Sequence, residues 1–227
     1  MYSHRTSRGP VDLAFTDRFG GVSAVPFDSL NLALEGGDDP DATAANLARV
    51  LADFAPGAAL ADMRQVHGAT VVTVDGSGDR PDVVLLVRVA DCVPVLLADP
   101  DAGVLGVAHA GRPGLAAGVV PATVARMREL GAAEVTAWVG PHVCGGCYEV
   151  PEAMREEVGD VVPAAVATTT WGTPSLDLGA GVRAQLADAG VAVVDLARCT
   201  RESADLYSYR RDGAGAGRLG GLVRLRG

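Results

Sequence analysis

The sequence predicts an α/β fold, in which a single domain over residues 1–227 contains a mixed β-sheet flanked by helices. Short apolar runs typical of buried strands alternate with segments that carry the apolar spacing of amphipathic helices. Hydrophobic residues make up 48% of the chain, which is enough for a sizeable core, and only 4% of the residues are aromatic. The pattern shows neither an internal repeat nor a linker long enough to divide the chain.

The N-terminal part of the chain is predicted to contain one strand, one long loop and one helix. Residues 11–20 have the pattern of an edge strand that ends in a turn. Residues 21–43 are rich in Gly, Pro, Ser, Asn and Asp, and a long loop of this kind is usually functional or disordered. An Asp-Pro-Asp start then predicts a helix over residues 42–54. We interpret Asn46 on this helix as an exposed polar residue, with substrate binding as the alternative.

The remaining elements alternate between strands and helices. Residues 62–74 predict a strand pair or a strand–turn–strand unit, and a turn follows over 75–82. Residues 83–99 form a near-continuous apolar run, which indicates strands buried on both faces. Later helices are predicted over residues 115–130, 151–160 and 175–190, and later strands over 134–140, 191–197 and the end of 201–225.

The composition limits the classes of partner. The formal net charge is −9, so general binding to the phosphate backbone of nucleic acids is not expected. No apolar run approaches the roughly 20 residues that span a bilayer, and the N-terminus lacks the apolar region of a signal peptide. We therefore expect a cytoplasmic protein that binds small molecules, with no nucleic-acid or membrane partner. In that compartment, cysteines are more often free, catalytic or metal-bound than paired in disulfides.

The stretch from Val87 to Gly118 carries the strongest chemical signal. Two apolar runs flank a turn signal at residues 99–103, which predicts two short buried strands in antiparallel pairing. Cys92 opens the first strand and His109 closes the second. Antiparallel pairing would therefore bring the two side chains close together, although they are distant in sequence.

His67, Cys92 and His109 form the best candidate for a functional site. Each is expected at the edge of a strand beside a glycine or a polar residue. Two imidazoles and one thiolate leave the fourth position of a tetrahedral zinc ion open, which is typical of catalytic rather than structural zinc. Water at such a position is acidic enough to act as a nucleophile near neutral pH. The alternatives are a Cys–His nucleophile pair without metal and, for His67, a simple turn residue.

The other cysteines carry weaker signals. Cys144 and Cys147 form a single CxxC, whereas a zinc ribbon needs two such pairs. We interpret this CxxC as a tight glycine loop with one buried thiol, and leave redox activity or a place in the functional site as alternatives. Cys199 is interpreted as a small buried residue.

Three arginines lie near the glycine-rich segment GAGAGR of the C-terminal tail. The segment lacks the lysine and hydroxyl residues of a P-loop, so the glycines alone indicate little. Arg210, Arg211 and Arg218 suit the binding of a phosphate or a purine ligand. The alternative is a solvated surface turn.

Six sequence blocks occur in a characteristic order and together extend over most of the chain. They are FTDRFGGVSAVPFDSLNLALEGGDDPDATAAN, QVHG, ADCVPVLLADP, GVAHAG, GPHVCGGCYEV and LYSYRRDGAGAGRLGGLVRL. In these blocks the chain resembles the YfiH-type family, first labelled multi-copper polyphenol oxidoreductase (laccase) and later associated with purine nucleoside phosphorylase activity. The resemblance implies a layered α/β fold shared with cytotoxic-necrotizing-factor-type cysteine hydrolases.

The resemblance also implies a metal and a set of reactions. The histidine of QVHG, the cysteine of ADC and the histidine of AHAG would bind zinc, and these residues are His67, Cys92 and His109 here. The implied reactions are phosphorolysis of adenosine, inosine, guanosine and methylthioadenosine, and deamination of adenosine. The implied partners are therefore purine nucleosides and phosphate.

Candidates for the remaining roles come from the same blocks. Asn46 is our candidate for substrate binding, and Arg210 and Arg211 are our candidates for phosphate binding. Asp91 is adjacent to the predicted ligand Cys92, so it is a candidate for proton transfer; a turn carboxylate without a catalytic role is the alternative.

The sequence also departs from the family pattern. Arg112 and Pro113 follow the AHAG block where the family has Trp-Arg, and Leu47 stands where it has arginine. Gly146 replaces the first of two adjacent cysteines, and Cys144 lies two positions earlier. These departures leave open an editing or non-catalytic protein that acts on a cell-wall precursor. A copper-dependent polyphenol oxidase is the other alternative.

Overall fold

The computed structural model describes residues 1–74 and 82–226. The strands are β1 (Tyr2–Arg8), β2 (Val11–Thr16), β3 (Ala59–Asp62), β4 (Val83–Val89), β5 (Val93–Asp99), β6 (Val104–Ala110), β7 (Thr136–Val139), β8 (Val166–Thr168), β9 (Pro174–Leu176), β10 (Ala192–Asp195) and β11 (Leu219–Leu225). The α-helices are α1 (Pro40–Phe54), α2 (Arg112–Ala116), α3 (Val119–Glu129), α4 (Glu152–Val161), α5 (Leu178–Asp188) and α6 (Tyr209–Asp212). Short 3-10 helices span Pro163–Ala165 and Gly213–Gly215.

Most of the strands form two mixed sheets. The first sheet has the order β1-β2-β11-β4-β3, and only its β3–β4 pair is parallel. The second sheet has the order β10-β7-β5-β6, and only its β10–β7 pair is parallel. Strands β8 and β9 form a separate antiparallel pair.

Three apolar clusters bind these elements into layers. One cluster fills the space between the two sheets, where Phe15 and Val87 of the first sheet meet Leu96 and Trp138 of the second. A second cluster packs the other face of the second sheet against α2, α3, α4 and α5. A third packs the outer face of the first sheet against α1. Strand β5 is buried along its whole length because it lies between two layers.

Helix starts in the chain follow ordinary capping chemistry. Asp39 precedes α1, its carboxylate accepts a hydrogen bond from the Asp41 N–H, and Pro40 begins the helix. Asp177 precedes α5 in the same way and accepts from the Ala180 N–H. These caps explain why α1 begins where the Asp-Pro-Asp start of the sequence predicts it.

The predicted α/β class, with mixed sheets flanked by helices, is confirmed, but there are two main sheets rather than one. The prediction of an edge strand at 11–20 is wrong, because β2 lies between β1 and β11. The prediction of two strands in 62–74 is also wrong, because the pairing of β3 ends at Asp62 and residues 63–74 form no strand. The predicted turn at 75–82 falls largely on residues 75–81, outside the described part of the chain. No helix among the described residues is both long enough and apolar enough to cross a membrane.

Candidate active site

The side chains of His67, Cys92 and His109 meet at one end of the β5–β6 hairpin. Their metal-ligating atoms all lie within 4.8 Å of one another. The two imidazole rings are in edge-to-face contact, with ring centroids 4.8 Å apart. The antiparallel pairing that the sequence predicts for these strands is confirmed, and Pro94 lies opposite His109. The structure thus brings together the three side chains that the sequence singles out as metal ligands.

Cys92 is held in place by the residue before it. Asp91 has φ +82°, a left-handed conformation that turns the chain sharply into β5. The Asp91 carboxylate is buried and accepts two hydrogen bonds of 2.6 Å, from the Thr200 hydroxyl and from the Arg210 backbone N–H. The backbone carbonyl of Asp91 also accepts a hydrogen bond from the Val143 N–H at 3.0 Å. Asp91 therefore fixes the start of β5 against two later loops.

Gly111 makes room for the cluster. It follows β6 with φ −78° and ψ 171°, an extended conformation open to any residue. A Cβ at this position would lie 2.9 Å from Cys92 Sγ and 3.1 Å from His67 Cδ2. The glycine is therefore required by the close approach of the two ligand side chains and not by the backbone angles.

His67 comes from the irregular segment that follows β3. The side chain of Gln65 anchors this segment to β4: its amide donates to the Arg88 carbonyl at 2.6 Å and accepts from the Arg88 N–H at 2.8 Å. His67 itself has φ +56° and is the exposed member of the cluster, whereas His109 is buried. The site therefore has a solvent-facing side at His67.

Burial shifts the pKa values of the two inner side chains in opposite directions. Desolvation, and secondarily the charge of Asp91, raises the pKa of the Cys92 thiol to about 12. Desolvation, with smaller contributions from His67 and Arg218, lowers the pKa of His109 to about 4. A neutral imidazole is the form that offers a lone pair to a metal.

The cluster lies in the wall of a cavity of about 920 Å³. Pockets that bind small molecules usually have volumes of roughly 300–1,000 Å³, so this cavity has the size of a small-molecule site. Tyr148 lines the cavity, and burial raises the pKa of its hydroxyl. The Arg210 guanidinium lies over the Tyr148 ring, 4.3 Å from its centroid. The cavity thus combines an aromatic surface, a positive charge and the candidate metal ligands.

The structure separates the arginines that the sequence grouped together. Arg210 and Arg218 line the cavity, and their guanidinium groups donate to neutral backbone carbonyls, those of Glu149 and of Ala216 and Gly217. Arg211 does not line this cavity. Its guanidinium donates to the carbonyls of a neighbouring loop, namely those of Thr200, Arg201, Ser203 and Leu206. Arg211 therefore braces a loop. Arg64 and Arg88 also line the cavity, but they are paired with Glu35 and Asp62, whereas Arg210 and Arg218 donate to carbonyls.

Asn46 is not brought to the cavity either. Its side chain is fully buried in α1, so the interpretation as an exposed polar residue is wrong. The amide oxygen accepts from the Val22 N–H, and the amide nitrogen donates to the Ser23 hydroxyl and to the carbonyls of Ser29 and Asn31. Asn46 thus holds the long N-terminal loop against α1, and these contacts engage both ends of its amide.

A second group of metal-ligating side chains lies in the loops after β7 and β10. Cys144, Cys147, Cys199 and Glu202 have ligand atoms that all lie within 4.8 Å of one another. The expectation that Cys199 is a small buried residue does not hold, since Cys147 is the buried thiol and Cys199 is half-buried. The CxxC spacing identifies Cys144 and Cys147 but not their partners, because 52 to 55 positions separate Cys147 from Cys199 and Glu202.

Three residues of the site are missed by sequence reasoning. Tyr148 directly follows the CxxC, and nothing in its sequence neighbourhood marks it as a residue of the site. Gly111 is one of 29 glycines, and the turn after β6 accounts for it without any site. Thr200 carries no signal of its own, because its bond to Asp91 joins residues 109 positions apart. The arginine stacked on Tyr148 could have pointed to the aromatic wall, since arginine often packs on aromatic faces.

Curated relatives cover nearly all of the chain. A purine nucleoside phosphorylase of Streptomyces coelicolor is 54% identical over 99% of this chain and 100% of its own length. A purine nucleoside phosphorylase of Streptomyces griseus is 50% identical over 99% of both chains. One from Corynebacterium glutamicum is 44% identical over 95% of both chains.

Solved structures show the same fold. A Neisseria meningitidis protein matches with a TM-score of 0.83 at 32% identity, covering 97% of this chain and 96% of its own. YlmD from Geobacillus stearothermophilus matches with a TM-score of 0.84 at 30% identity, covering 96% of this chain and 93% of its own. The family model described as multi-copper polyphenol oxidoreductase laccase matches residues 12–226. The match of the family model to almost the whole chain and the high identity of its relatives show that the chain belongs to the multi-copper polyphenol oxidoreductase laccase family, the YfiH-type family.

Proposed function

We propose that this chain is a zinc-dependent purine nucleoside phosphorylase that acts on adenosine, inosine, guanosine and methylthioadenosine, and that it also deaminates adenosine. The observation that carries the proposal is the placement of an open three-donor cluster in the wall of a cavity whose lining includes Arg210, Arg218 and Tyr148. The names of the relatives, purine nucleoside phosphorylases of three organisms, support the substrate class.

The three donors fit zinc. Two imidazole nitrogens and one sulfur make a mixed set that zinc accepts, and three protein ligands leave one position for substrate or water. Gly111 supports this fit, because only a residue without a Cβ leaves the Cys92 sulfur and the His67 ring where they stand. Zinc held by His67, Cys92 and His109 would supply Lewis acidity and an acidified water to the reacting purine.

In phosphorolysis, a phosphate oxygen forms a bond to ribose C1′ while the bond from C1′ to the purine nitrogen breaks. The purine leaves with the electron pair of that bond and takes up a proton, so the products are the free base and ribose 1-phosphate, or 5-methylthioribose 1-phosphate in the case of methylthioadenosine. Positive charge develops at the sugar, so an anion held close to C1′ stabilises the transition state. Four arginines line the cavity, and two of them, Arg64 and Arg88, are paired with carboxylates. Arg210 and Arg218 are therefore our candidates to hold this phosphate.

Tyr148 and Asp91 have separate roles in this proposal. The Tyr148 ring offers an aromatic surface on which a purine can stack. The Arg210 guanidinium lies over the same ring. The Asp91 carboxylate is bonded to Thr200 and to the Arg210 N–H, so we assign it to positioning Arg210 and Cys92 in preference to proton transfer. In deamination, water adds to C6 of adenosine and ammonia leaves, which requires no phosphate.

The copper oxidase alternative is not favoured by the histidines. Reduction of oxygen by four electrons needs several coppers, whereas the chain has four histidines. His4 lies on β1, and His142 is buried with its Nδ1 bonded to the Gly140 carbonyl at 2.8 Å. In the part of the chain that the structure describes, His67 and His109 are the only histidines that belong to a group of side chains able to hold a metal ion.

The test is a panel of nucleosides incubated with and without phosphate, with free base, ribose 1-phosphate and inosine separated by chromatography. We expect hypoxanthine from inosine only when phosphate is present, and inosine from adenosine in both conditions. The Cys92→Ala variant should lose both activities and its share of bound zinc while the protein stays folded.

A variant of one cavity arginine separates the two reactions. Arg218→Ala should raise the KM for phosphate roughly tenfold to hundredfold, the equivalent of one charge-assisted contact of about 1.5–3 kcal/mol, and leave deamination of adenosine nearly unchanged. Full activity of Cys92→Ala, or no base released from any nucleoside at high enzyme concentration, would contradict the proposal. The second outcome would favour the editing or non-catalytic alternative.

A further inference from the structure

A group of four side chains lies apart from the ligands of the candidate active site, and we call it the thiol cluster: Cys144, Cys147, Cys199 and Glu202. It is formed by two loops. The loop after β7 supplies the first two cysteines, and the loop after β10 supplies the third cysteine and the glutamate. The ligand atoms of all four lie within 4.8 Å of one another.

The spacing of these atoms suits a single metal ion. Tetrahedral zinc with Zn–S near 2.3 Å and Zn–O near 2.1 Å has S···S edges of about 3.8 Å and S···O edges of about 3.6 Å. The Cys147 sulfur lies 3.4 Å from Glu202 Oε1, close to such an S···O edge. An iron–sulfur cluster would need room for several metal and sulfide atoms between the thiols, which this spacing does not leave.

Each pair of ligands is fixed by a tight turn. Cys144 accepts hydrogen bonds at its carbonyl from the N–H groups of Cys147 and Tyr148, at 3.0 and 3.1 Å. A Cβ on Gly145 would lie 2.8 Å from the Asp177 Cβ, so this turn has no room for a larger residue. In the second loop the Ser203 N–H donates to the Cys199 carbonyl at 3.1 Å, which places Cys199 and Glu202 on the same turn.

We propose that the thiol cluster binds a structural zinc ion through three sulfurs and one carboxylate oxygen. Four protein donors fill a tetrahedral shell, which is the arrangement of a closed structural site and contrasts with the three donors of the active site. A disulfide would use two of the three cysteines and would leave the third thiol and the carboxylate without a role. A metal ion would use the carboxylate beside the thiols as its fourth ligand.

The position of this zinc gives it a consequence for the cavity. Cys147 is followed by Tyr148, which lines the cavity, and Cys199 is followed by Thr200, which donates to the Asp91 carboxylate at 2.6 Å. The ion therefore ties together the two loops that present the aromatic wall and hold the residue before Cys92. Removal of the ion should loosen both loops without removing a ligand of the active-site metal.

The test measures zinc per chain in full-length protein purified under reducing conditions without chelator. Wild-type protein should carry about two zinc ions and Cys92→Ala about one. X-ray absorption of Cys92→Ala should show mainly sulfur neighbours near 2.3 Å. In the Cys92→Ala background, Cys147→Ser should remove the remaining zinc. Glu202→Gln changes only an exposed carboxyl and should weaken zinc retention against a chelator at least tenfold, whereas Glu156→Gln, a control on α4, should not.

Two results would overturn the proposal. One such result is a folded Cys92→Ala protein that binds no zinc and whose remaining thiols all react with a thiol reagent. The other is a protein mass two hydrogens below the mass calculated from the sequence, which marks a disulfide. Should Cys147→Ser fail to fold, the Glu202→Gln comparison and the absorption spectrum still decide. Because these readouts are metal content and ligand type, they do not depend on whether the chain cleaves nucleosides.

Discussion

The clearest perturbation is Asp91→Asn, because it keeps the shape of the side chain and removes only its charge. The carboxylate accepts two hydrogen bonds of 2.6 Å, from the Thr200 hydroxyl and the Arg210 N–H. In the variant, the amide oxygen can still accept from Arg210, and the amide nitrogen can donate to a rotated Thr200 hydroxyl. Asparagine also tolerates φ +82°, so little backbone strain is added.

The expected loss of stability follows from these contacts. Two hydrogen bonds to a charged acceptor, worth about 1.5–3 kcal/mol each, become two neutral bonds worth about 0.5–1.5 kcal/mol each. Asp91→Asn should therefore lower the free energy of unfolding by about 2–3 kcal/mol, and Thr200→Val, which removes one charged hydrogen bond completely, by about 1.5–3 kcal/mol. Denaturant unfolding monitored by tryptophan fluorescence measures both values, with the slope m expected to stay constant.

Kinetics of the same variants separate positioning from proton transfer. If Asp91 positions Arg210, Asp91→Asn should raise the KM for phosphate more than it lowers kcat, and Thr200→Val should act in the same direction. The reasoning is refuted if Asp91→Asn keeps wild-type stability and wild-type phosphate KM but lowers kcat by a hundredfold or more and removes one limb of the pH–rate profile. That outcome is the signature of a group that transfers a proton.

Four further changes test other parts of the structure. Gly111→Ala should leave the fold intact but reduce zinc affinity roughly tenfold or more, read by chelator competition, because its Cβ would press on the Cys92 sulfur; unchanged affinity would show that the ligands can shift. Arg211→Ala should lower the unfolding free energy by about 2 kcal/mol and leave the phosphate KM within about twofold, since its guanidinium braces a loop; a large KM change would return it to phosphate binding. Asn46→Ala should cost about 2–4 kcal/mol in denaturant unfolding without changing the KM for nucleosides, and a specific KM effect would argue for substrate contact. Backbone N–H groups, first those of Ala102 and Glu134, lower the pKa of Asp99 below its usual value. Its stabilising contribution is therefore fully present above about pH 4 and is lost as the pH falls through the lower folded-state pKa. Asp99→Asn should flatten the acid side of the stability curve, and an unchanged curve would contradict this.

The parts of the site that sequence reasoning finds are those fixed by local pairing. Cys92 and His109 flank a turn between two apolar runs, and antiparallel pairing through such a turn brings the ends of both strands together. The α/β class follows from the alternation of apolar runs and helical spacing in the same way. These features depend on short stretches of chain, and short stretches carry strong patterns.

The parts that the sequence does not reveal depend on long-range placement. Residues 2–8 look like a polar tail, yet they form β1 because β2 offers an edge to pair with. Asn46 occupies a position that looks exposed from helical spacing, but the long loop folds over it and buries it. Arg210 and Arg211 are neighbours with the same chemistry, and only the tertiary fold decides that one lines the cavity while the other braces a loop.

The β5–β6 hairpin has a practical consequence for handling the protein. Its turn, residues 100–103, is exposed and lies at the end opposite to Cys92 and His109. Seven-residue strands at about 3.3 Å per residue put this tip roughly 20 Å from Cys92 and His109. A surface linker or a fluorescent dye attached at Asp101 would therefore be remote from the candidate site, so the activities proposed for this chain should be the same in immobilised protein and in solution.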